Sequence, residues 1–415
     1  MLLLSSPEQF INTTIRLSGS KSIHNRMLIL NDVLDLDLSF ENNSTSEDTL
    51  LLQNALQQIK NKNKGTIDIH HAGTDMRFLT ALLATKEGEW ILTGSERMKE
   101  RPIGELVDAL NSLGAEIIYL EKENFPPLKI TGKKLKGGKI DIDGSISSQF
   151  ISALLLIAPS FENGLELRLK NEIVSWPYIQ MTIDILIEFG IIIKKSNNLI
   201  SVQKSKISPL KSNIYNIESD WSSASYWFSI VALSKDAEIK LTGLKNKSSQ
   251  ADAVLPTIYK ELGVLAQFKN EELCLTKNSA TTNYFEYDFT NCPDIAQTVA
   301  ITCFGLGIKA KLTGLKTLKL KESDRIIALK TELEKLGAIV ETTDSSILIH
   351  ETRNKKQETR NPINTYNDHR MAMSFAPLAL LYKQITIENP EVVTKSYPLF
   401  WTDLKSVGFN VNLQP

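Results

Sequence analysis

The sequence lacks three features that would assign a protein to a functional class at once. Its formal net charge is −1 over 415 residues, so bulk electrostatics favours neither nucleic acid nor a membrane surface. No apolar run reaches the roughly 18–20 residues of a membrane span, and the apolar part of "MLLLSSPEQF" is too short for a signal peptide. The three cysteines have no CxxC or His-paired spacing. The sequence therefore predicts a cytoplasmic protein with free thiols, no metal site and neither a nucleic-acid nor a membrane partner.

Arginine is also scarce, with 10 arginines against 37 lysines. A chain that uses lysine wherever a generic cation suffices should keep arginine for places that need a planar, multidentate donor. Half of the arginines lie in stretches that stand out on other grounds, namely Arg26, Arg77, Arg101, Arg325 and Arg370. These five are therefore candidates for contact with an anionic ligand.

The chain repeats itself about every 74 residues. The segments "DALNSLGAEI", "LIEFGIII", "YKELGVLA", "LEKLGAIV" and "DLKSVGFNV" each carry a glycine, spaced by 71 to 76 residues, where an amphipathic helix would end. A second series of helix starts is spaced by 54 residues and then by 72 to 75. Its markers are Ser20, Thr74, Ser147, Ser222, Asp294 and Asp368. The sequence thus predicts six units, the first of them short.

Each unit offers one nearly apolar helix, one amphipathic helix and several strands. This pattern predicts an α/β protein in which the apolar helices pack together inside two groups of three units, with sheets around them. The polar stretch 211–220 marks the boundary between the groups. We expect one domain over 20–218 and a second over 1–19 and 219–415.

Unusual charges stand at the helix starts. Lys21 and Arg26 add positive charge where the helix backbone is already positive, which indicates an anionic ligand. A serine at one helix start is ordinarily only a cap, but six such starts with convergent cations could hold a multiply charged small molecule. Asp294, and Glu322 in "KLKESDRI", are candidates for acid–base chemistry because neighbouring cations and burial tune carboxyl groups.

Six motifs occur in order over nearly the whole chain: "GSKS…NR", "AGT.MR", "RPIG", "SSQF.SALL", "KESDR" and "NDHRMAM". Together they resemble the EPSP synthase (3-phosphoshikimate 1-carboxyvinyltransferase) family. The resemblance implies a two-domain inside-out α/β barrel, with three βαβαββ units per domain and the active site in the cleft between the domains. It also implies a monomer without metal or organic cofactor. The implied reaction, in the shikimate pathway of aromatic amino acid biosynthesis, transfers the enolpyruvyl group of phosphoenolpyruvate to the 5-hydroxyl of shikimate 3-phosphate and releases phosphate.

The resemblance also implies roles for individual residues. Asp294 would take the 5-hydroxyl proton, while Glu322 and Lys21 would handle protons at the methylene and the leaving phosphate. Shikimate 3-phosphate would be bound by Lys21, Ser22, Arg26, Ser147, Ser148, Gln149, Ser175, Tyr178, Asp294 and Lys321. Phosphoenolpyruvate, and the inhibitor glyphosate in its place, would be bound by Lys21, Gly73, Arg101, Gln149, Arg325, Arg370 and Lys395, with a less defined contact from Arg77. The chain departs from the family pattern at His71, Asp75, Phe78 and Thr317.

Three other classes of protein share parts of this pattern. The sister enzyme that moves enolpyruvyl onto UDP-N-acetylglucosamine typically has Lys-Asn at the first helix and a reactive cysteine before its own "RP". This chain has Lys21-Ser22 and no cysteine in 86–100. A P-loop requires glycine directly before the lysine, where this chain has Ser20. A non-catalytic repeat scaffold would not gather cations and carboxylates at its helix starts. The sister enzyme is the nearest alternative.

Overall fold

The computed structural model describes residues 1–204, 212–351 and 361–414. The chain divides into two compact units. We call Lys21–Ile217 the N-terminal unit, and Met1–Ser20 together with Glu218–Pro415 the C-terminal unit. The predicted boundary stretch begins at residue 211, which lies outside the described residues.

The strands, in chain order, are β1 (Leu2–Ser5), β2 (Ile11–Arg16), β3 (Ser39–Glu41), β4 (Lys64–Asp68), β5 (Gly88–Thr93), β6 (Glu116–Tyr119), β7 (Leu128–Gly132), β8 (Gly138–Asp143), β9 (Leu165–Lys170), β10 (Ile193–Ser196), β11 (Leu199–Val202), β12 (Ile214–Asn216), β13 (Ala237–Thr242), β14 (Val264–Lys269), β15 (Glu272–Lys277), β16 (Tyr284–Asp288), β17 (Lys309–Thr313), β18 (Val340–Thr342), β19 (Ile347–Ile349), β20 (Ile385–Ile387) and β21 (Asn410–Leu413).

The α-helices are α1 (Lys21–Val33), α2 (Glu47–Asn61), α3 (Gly73–Thr85), α4 (Glu96–Lys99), α5 (Gly104–Ser112), α6 (Ser148–Ile157), α7 (Trp176–Glu188), α8 (Trp221–Leu233), α9 (Leu255–Glu261), α10 (Ala296–Leu306), α11 (Arg325–Lys335), α12 (His369–Phe375) and α13 (Phe400–Ser406). Short 3-10 helices cover Ala158–Ser160, Ala251–Val254, Pro293–Ile295, Lys316–Leu320, Ala376–Leu380 and Pro390–Lys395. None of the helices formed by the described residues is long and apolar enough to cross a bilayer.

One sheet topology recurs four times in the described residues. The strand orders are β4-β5-β7-β6 and β8-β9-β11-β10 in the N-terminal unit, and β2-β13-β15-β14 and β16-β17-β19-β18 in the C-terminal unit. In each sheet the first two strands are parallel and the others are antiparallel. Helices α3, α6 and α10 are the crossovers that join β4 to β5, β8 to β9 and β16 to β17, as parallel strands require, whereas β2 and β13 are separated in sequence by the N-terminal unit. This recurrence is the α/β unit that the 74-residue period predicts, with the βαβαββ order that the resemblance implies.

The first and last units are reduced. In the first, β3 pairs only with the parallel strand β12. In the last, β1 pairs antiparallel with both β20 and β21, and the leading strand is represented by a single parallel bridge between Ile363 and Ile387. The short first spacing in the sequence, 54 residues, reflects the missing hairpin of the first unit.

The apolar helices form the centre of each unit. In the N-terminal unit α1, α3 and α6 pack against one another, and in the C-terminal unit α8, α10 and α12 do so. Each trio lies within one buried apolar cluster, to which the sheets contribute their inner faces. The prediction of an inside-out α/β fold, with helices at the centre and sheets around them, is therefore confirmed. The physical reason is that burying these nearly apolar helices removes most of their surface from water.

The amphipathic helices end as predicted. The glycines that follow α5, α7, α9, α11 and α13 are Gly114, Gly190, Gly263, Gly337 and Gly408, with φ between 79° and 96°. Such left-handed backbone ends a helix at low cost only in glycine.

The helix starts differ from prediction in three places. Helix α10 begins at Ala296 without a side-chain cap, and its predicted marker, Asp294, lies in the short 3-10 helix before it. Helix α8 is capped by Asp220, whose Oδ2 accepts the Ser223 N–H at 3.0 Å, rather than by Ser222. Helix α3 begins at Gly73 and has no side-chain cap. In α8 and α3 the predicted marker, Ser222 or Thr74, is the second residue of the helix, where its side chain is available for other contacts.

Candidate active site

In the C-terminal unit, Asp294 lies among three cations. It belongs to the short 3-10 helix Pro293–Ile295 that leads into α10. Its Oδ1 lies 3.3 Å from Nη1 of Arg325 and 3.6 Å from Nζ of Lys321, and its Oδ2 lies 3.3 Å from Nη2 of Arg370. These three cations balance the negative charge of the carboxylate. Because its side chain is 18% exposed, the carboxylate also remains accessible to a ligand.

Arg325 connects the carboxylates of this cluster. Its Nε lies 2.7 Å from Oδ2 of Asp368, and its Nη2 lies 3.1 Å from Oδ1 of Asp368 and 2.9 Å from Oε2 of Glu322. The side chain is 1% exposed. Burial opposes its charge, but Asp368 and Glu322 outweigh burial and raise the pKa of Arg325 above its ordinary value. The planar fork of arginine makes this multidentate contact possible, as the scarcity of arginine suggested.

Glu322 is shared between two cations. Its Oε1 lies 3.1 Å from Nζ of Lys395, and its other oxygen binds Arg325. Both Glu322 and Lys395 keep only about a tenth of their side-chain surface exposed. The C-terminal cluster thus holds four cations against three carboxylates: Lys321, Arg325, Arg370 and Lys395 against Asp294, Glu322 and Asp368.

A fourth carboxyl group near this cluster has no recognisable signal in the sequence. Asp252 is 3% exposed and accepts a hydrogen bond from the Ser222 hydroxyl. Burial first, and then the nearby charge of Asp294, raise the pKa of Asp252 to about 7, while Arg370 opposes the shift. No local pattern around "QADAV" identifies this aspartate, because its surroundings arise only when Ala251–Val254 packs against α8.

In the N-terminal unit, Lys21 has a carboxylate partner within the chain. It is the first residue of α1, and its Nζ lies 2.9 Å from Oδ2 of Asp48 in α2. The positive charge at this helix start is therefore offset in part by the protein itself, and not only by a ligand as the sequence analysis expected. Asp48 was not identified there because it lies 27 residues further along the chain.

Arg26 is buried among neutral acceptors. Its Nε donates to the Thr182 hydroxyl at 2.8 Å and its Nη1 to the Ser22 carbonyl at 2.8 Å. Its Nη2 lies 3.2 Å from the Tyr178 carbonyl, and its guanidinium lies 5.4 Å from the centre of the Phe78 ring. Burial lowers the pKa of Arg26 to about 10. The structure thus brings Ser22, Arg26 and Tyr178 together.

Gly73 and Arg101 are in close contact. A Cβ atom built on Gly73 would lie 2.7 Å from Cζ of Arg101, whose side chain is 7% exposed. Only glycine leaves room for the guanidinium at the start of α3. Arg77 ties the same segments together, because it donates to the Gly73 carbonyl at 3.1 Å and to the Pro102 carbonyl at 2.9 Å.

The start of α6 lies beside the start of α3. The Ser147 hydroxyl caps α6 by accepting the Gln149 N–H at 3.2 Å, and Gln149 donates through Nε2 to the Thr74 hydroxyl at 3.0 Å. Ser148, the first residue of α6, is buried. Ser175, before α7, is 6% exposed and left-handed with φ of 54°, a strained conformation of the kind found at functional sites.

Two of the four departures from the family pattern, Asp75 and Phe78, have local explanations. Asp75 is fully buried and accepts a hydrogen bond from Nδ2 of Asn25 at 2.8 Å. Phe78 is 1% exposed and supports Arg26. Thr317 lies in the 3-10 helix Lys316–Leu320, and His71 lies in the turn before α3. Asp75 and Phe78 are therefore core residues of the N-terminal unit.

The repeated βαβαββ units and their central helices define the class of protein by its fold: an inside-out α/β protein whose C-terminal unit gathers cations and carboxylates at its helix starts. The family model for EPSP synthase (3-phosphoshikimate 1-carboxyvinyltransferase) matches residues 6–404, and the chain belongs to this family. The resemblance drawn from the six motifs is thereby confirmed.

Several relatives match over almost the full chain. A 3-phosphoshikimate 1-carboxyvinyltransferase of Bacteroides fragilis (strain ATCC 25285) is 45% identical over 413 residues, covering 99% of this chain and 98% of the relative. One from Buchnera aphidicola subsp. Cinara cedri is 38% identical over 437 residues, with the same coverage. The solved EPSP synthase of Acinetobacter baumannii superposes with a TM-score of 0.76 at 21% identity, covering 99% of this chain and 100% of that one, which shows the shared fold. These comparisons do not favour the UDP-N-acetylglucosamine enzyme.

Proposed function

We propose that this chain transfers the enolpyruvyl group of phosphoenolpyruvate to the 5-hydroxyl of shikimate 3-phosphate, with release of phosphate. The observation that carries the proposal is full-length membership of the EPSP synthase family. The cluster around Asp294 supports it, because the reaction needs a base beside cations that can hold anionic substrates.

Asp294 accepts the 5-hydroxyl proton as the hydroxyl oxygen bonds to the carbon that bears the phosphate ester, and the electron pair of the double bond takes up a proton at the methylene carbon, which becomes a methyl group. The C–O bond to phosphate then breaks as the methyl group gives a proton back, which restores the double bond. The net proton lost by the hydroxyl ends on the released phosphate. Glu322 and Lys21 exchange protons with the enolpyruvyl methylene and the leaving phosphate. Glu322 is suited to this because Arg325 and Lys395 contact its two oxygens and hold the carboxyl group in a fixed position.

Binding falls to both units in this proposal. The substrates are anions that repel each other, so the site must supply fixed positive charge and hold them in reacting geometry. Shikimate 3-phosphate is bound by Lys21, Ser22, Arg26, Ser147, Ser148, Gln149, Ser175, Tyr178, Asp294 and Lys321. Phosphoenolpyruvate is bound by Lys21, Gly73, Arg101, Gln149, Arg325, Arg370 and Lys395. The contact between Gly73 and Arg101 supports their common assignment.

The protein works as a monomer in the cytoplasm. Its three cysteines, Cys274, Cys292 and Cys303, are free and buried, as suits a reducing compartment. Light scattering tests the oligomeric state, and a mass near 46.5 kDa is expected.

The reaction is tested by following phosphate release. Purified protein with phosphoenolpyruvate and shikimate 3-phosphate should release phosphate and form an enolpyruvyl ether identifiable by mass spectrometry. Omission of shikimate 3-phosphate should abolish release. Turnover with UDP-N-acetylglucosamine in its place, and none with shikimate 3-phosphate, would overturn the proposal.

A further inference from the structure

The turn that leads into α12 is strained. Tyr366 and Asn367 are consecutive non-glycine residues with φ of 54° and 55°, both in the left-handed region. Such a pair persists only where surrounding contacts hold it. The residues that follow are Asp368, which caps α12 by accepting the Arg370 N–H at 2.9 Å, and Arg370 itself. The orientation of Arg370 therefore depends on what holds this turn.

Glu332 in α11 holds the turn at two points. Its Oε1 accepts the Tyr366 hydroxyl at 2.6 Å, and its Oε2 accepts the Asn364 backbone N–H at 3.2 Å. The Glu332 side chain is fully buried, and Nζ of Lys335 lies 2.8 Å from Oε2. A carboxylate with two acceptor oxygens can serve all three donors, whereas a glutamine has only one acceptor oxygen.

The same helix holds the end of the turn. Arg325, the first residue of α11, binds Asp368 through two nitrogens. Glu332 follows seven residues later, about two helical turns, so both side chains lie on one face of α11. Helix α11 thus contacts residues 364–368 through two buried side chains of opposite charge, Arg325 and Glu332.

We propose that Glu332 is a positioning residue: it fixes the strained turn so that Arg370 is held against Asp294 in the geometry that binds phosphoenolpyruvate. The inference rests on the proposed function, since it takes Arg370 as a ligand of that substrate. The contact that would be lost is the one between Nη2 of Arg370 and Oδ2 of Asp294, 3.3 Å apart. Glu332 itself touches neither substrate in this proposal.

Glu332→Gln tests the inference, with Glu334→Gln as the matched control. Glu334 lies on the same helix, but its side chain is 44% exposed and its partner, Lys330, is 3.7 Å away. Glu332→Gln should raise the KM for phosphoenolpyruvate about tenfold, the size of one lost hydrogen bond to a charged group, and leave the KM for shikimate 3-phosphate within about twofold. Tyr366→Phe removes one donor and should shift the same KM by less. Glu334→Gln should change neither constant.

A lower melting temperature with both KM values unchanged, or an equal rise in both KM values, would indicate a purely structural role. Either result would overturn the inference. Hydrogen exchange over residues 361–375 supplies a readout that needs no turnover, and exchange should be faster in Glu332→Gln than in Glu334→Gln. Unchanged exchange and unchanged kinetics in an active enzyme would refute the positioning role alone. An inactive wild-type enzyme would refute the proposed function, while the exchange comparison would still decide whether Glu332 holds the turn.

Discussion

The two units treat a buried arginine in opposite ways. In the C-terminal unit, Arg325 contacts three carboxylates, and two of them, Asp368 and Glu322, raise its pKa against the opposing effect of burial. In the N-terminal unit, Arg26 donates only to hydroxyls and carbonyls, and burial lowers its pKa to about 10. The charge of an arginine paired with carboxylates is largely balanced by the protein, so it attracts a further anion only weakly. The charge of an arginine among neutral dipoles is not balanced and can still attract an anionic ligand.

This difference suggests a division of labour. Carboxylates can accept and return protons, so the C-terminal cluster is equipped for proton transfer as well as binding. The groups around Arg26 are hydroxyls and backbone carbonyls, which cannot do so near neutral pH, so they are equipped mainly to bind and orient. Variants at the carboxylates of the C-terminal cluster should therefore act mainly on turnover, and variants at Arg26 mainly on binding.

The largest effect is expected from Asp294→Asn. The amide keeps the shape of the side chain but cannot accept the hydroxyl proton, so kcat should fall roughly 10²–10⁴-fold while both substrates still bind. Steady-state phosphate release measures kcat, and calorimetric titration measures binding. Asp344→Asn, at a surface ion pair with 92% side-chain exposure, is the control. Turnover within a few-fold of wild type would remove Asp294 from the role of base.

Next in size is the contrast between Arg325→Lys and Arg26→Lys. A single ammonium cannot bridge the three carboxylates around Arg325, so this variant should lose about 3–5 kcal/mol of unfolding free energy. Arg26→Lys leaves only neutral acceptors unpaired and should lose about 1–3 kcal/mol. Urea unfolding of both variants, beside the exposed Arg97→Lys, gives the comparison. Equal losses would show that the carboxylates add nothing to the role of Arg325.

The same pair should separate the substrates. Arg325→Lys should raise the KM for phosphoenolpyruvate more than that for shikimate 3-phosphate, and Arg26→Lys should do the reverse. An equal rise for both substrates in Arg325→Lys would assign that residue a structural role.

Much of this arrangement follows from the sequence because it depends on short-range pattern. The apolar helices, the glycines that end the amphipathic helices and the motif arginines are all visible within a dozen residues. The partners of those arginines are visible when they share a motif, as Glu322 and Arg325 do in "KESDR".

The rest depends on packing between distant segments. Asp48 pairs with Lys21 across 27 residues, and nothing in "STSEDTL" distinguishes it from an ordinary acidic first turn. Glu332, in "LKTELEKLG", looks like a solvent-facing charge on an amphipathic helix, yet it is fully buried. Asp220 replaces Ser222 as a cap because the local geometry of α8 selects between two neighbouring capping residues.

A smaller effect is expected from the pH dependence of Asp252. Between about pH 4 and pH 7 the native carboxyl holds a proton that the unfolded chain has lost, because burial first, and then Asp294, raise its pKa to about 7. The unfolded state binds fewer protons there, so this group's contribution to stability falls as pH rises and levels off above about pH 7. Asp252→Asn should remove that slope, on the order of 2 kcal/mol between about pH 5 and pH 8.

The measurement is the unfolding free energy of wild type and Asp252→Asn at both pH values. Asp236→Asn, at an exposed site in the same unit, should keep the wild-type slope. Identical slopes in wild type and Asp252→Asn would mean that Asp252 is ionised in the native state across this range.

The smallest effect is expected from Gly73→Ala, which tests the contact between Gly73 and Arg101 in the N-terminal unit. A methyl group at this position would overlap the Arg101 guanidinium, with Cζ at 2.7 Å, so the arginine must move. Arg101 is 7% exposed and has little room to do so. Since we propose that Arg101 binds phosphoenolpyruvate, the KM for that substrate should rise roughly threefold to tenfold, equivalent to about 1 kcal/mol. We propose that glyphosate, which is longer, occupies the same place and loses more binding affinity, so its inhibition constant should rise further than the KM.

Arg101→Lys and the double variant complete a double-mutant cycle on the KM for phosphoenolpyruvate. If the methyl group acts through Arg101, the effects of the two changes are not additive. Additive effects would mean that the methyl group contacts the ligand directly.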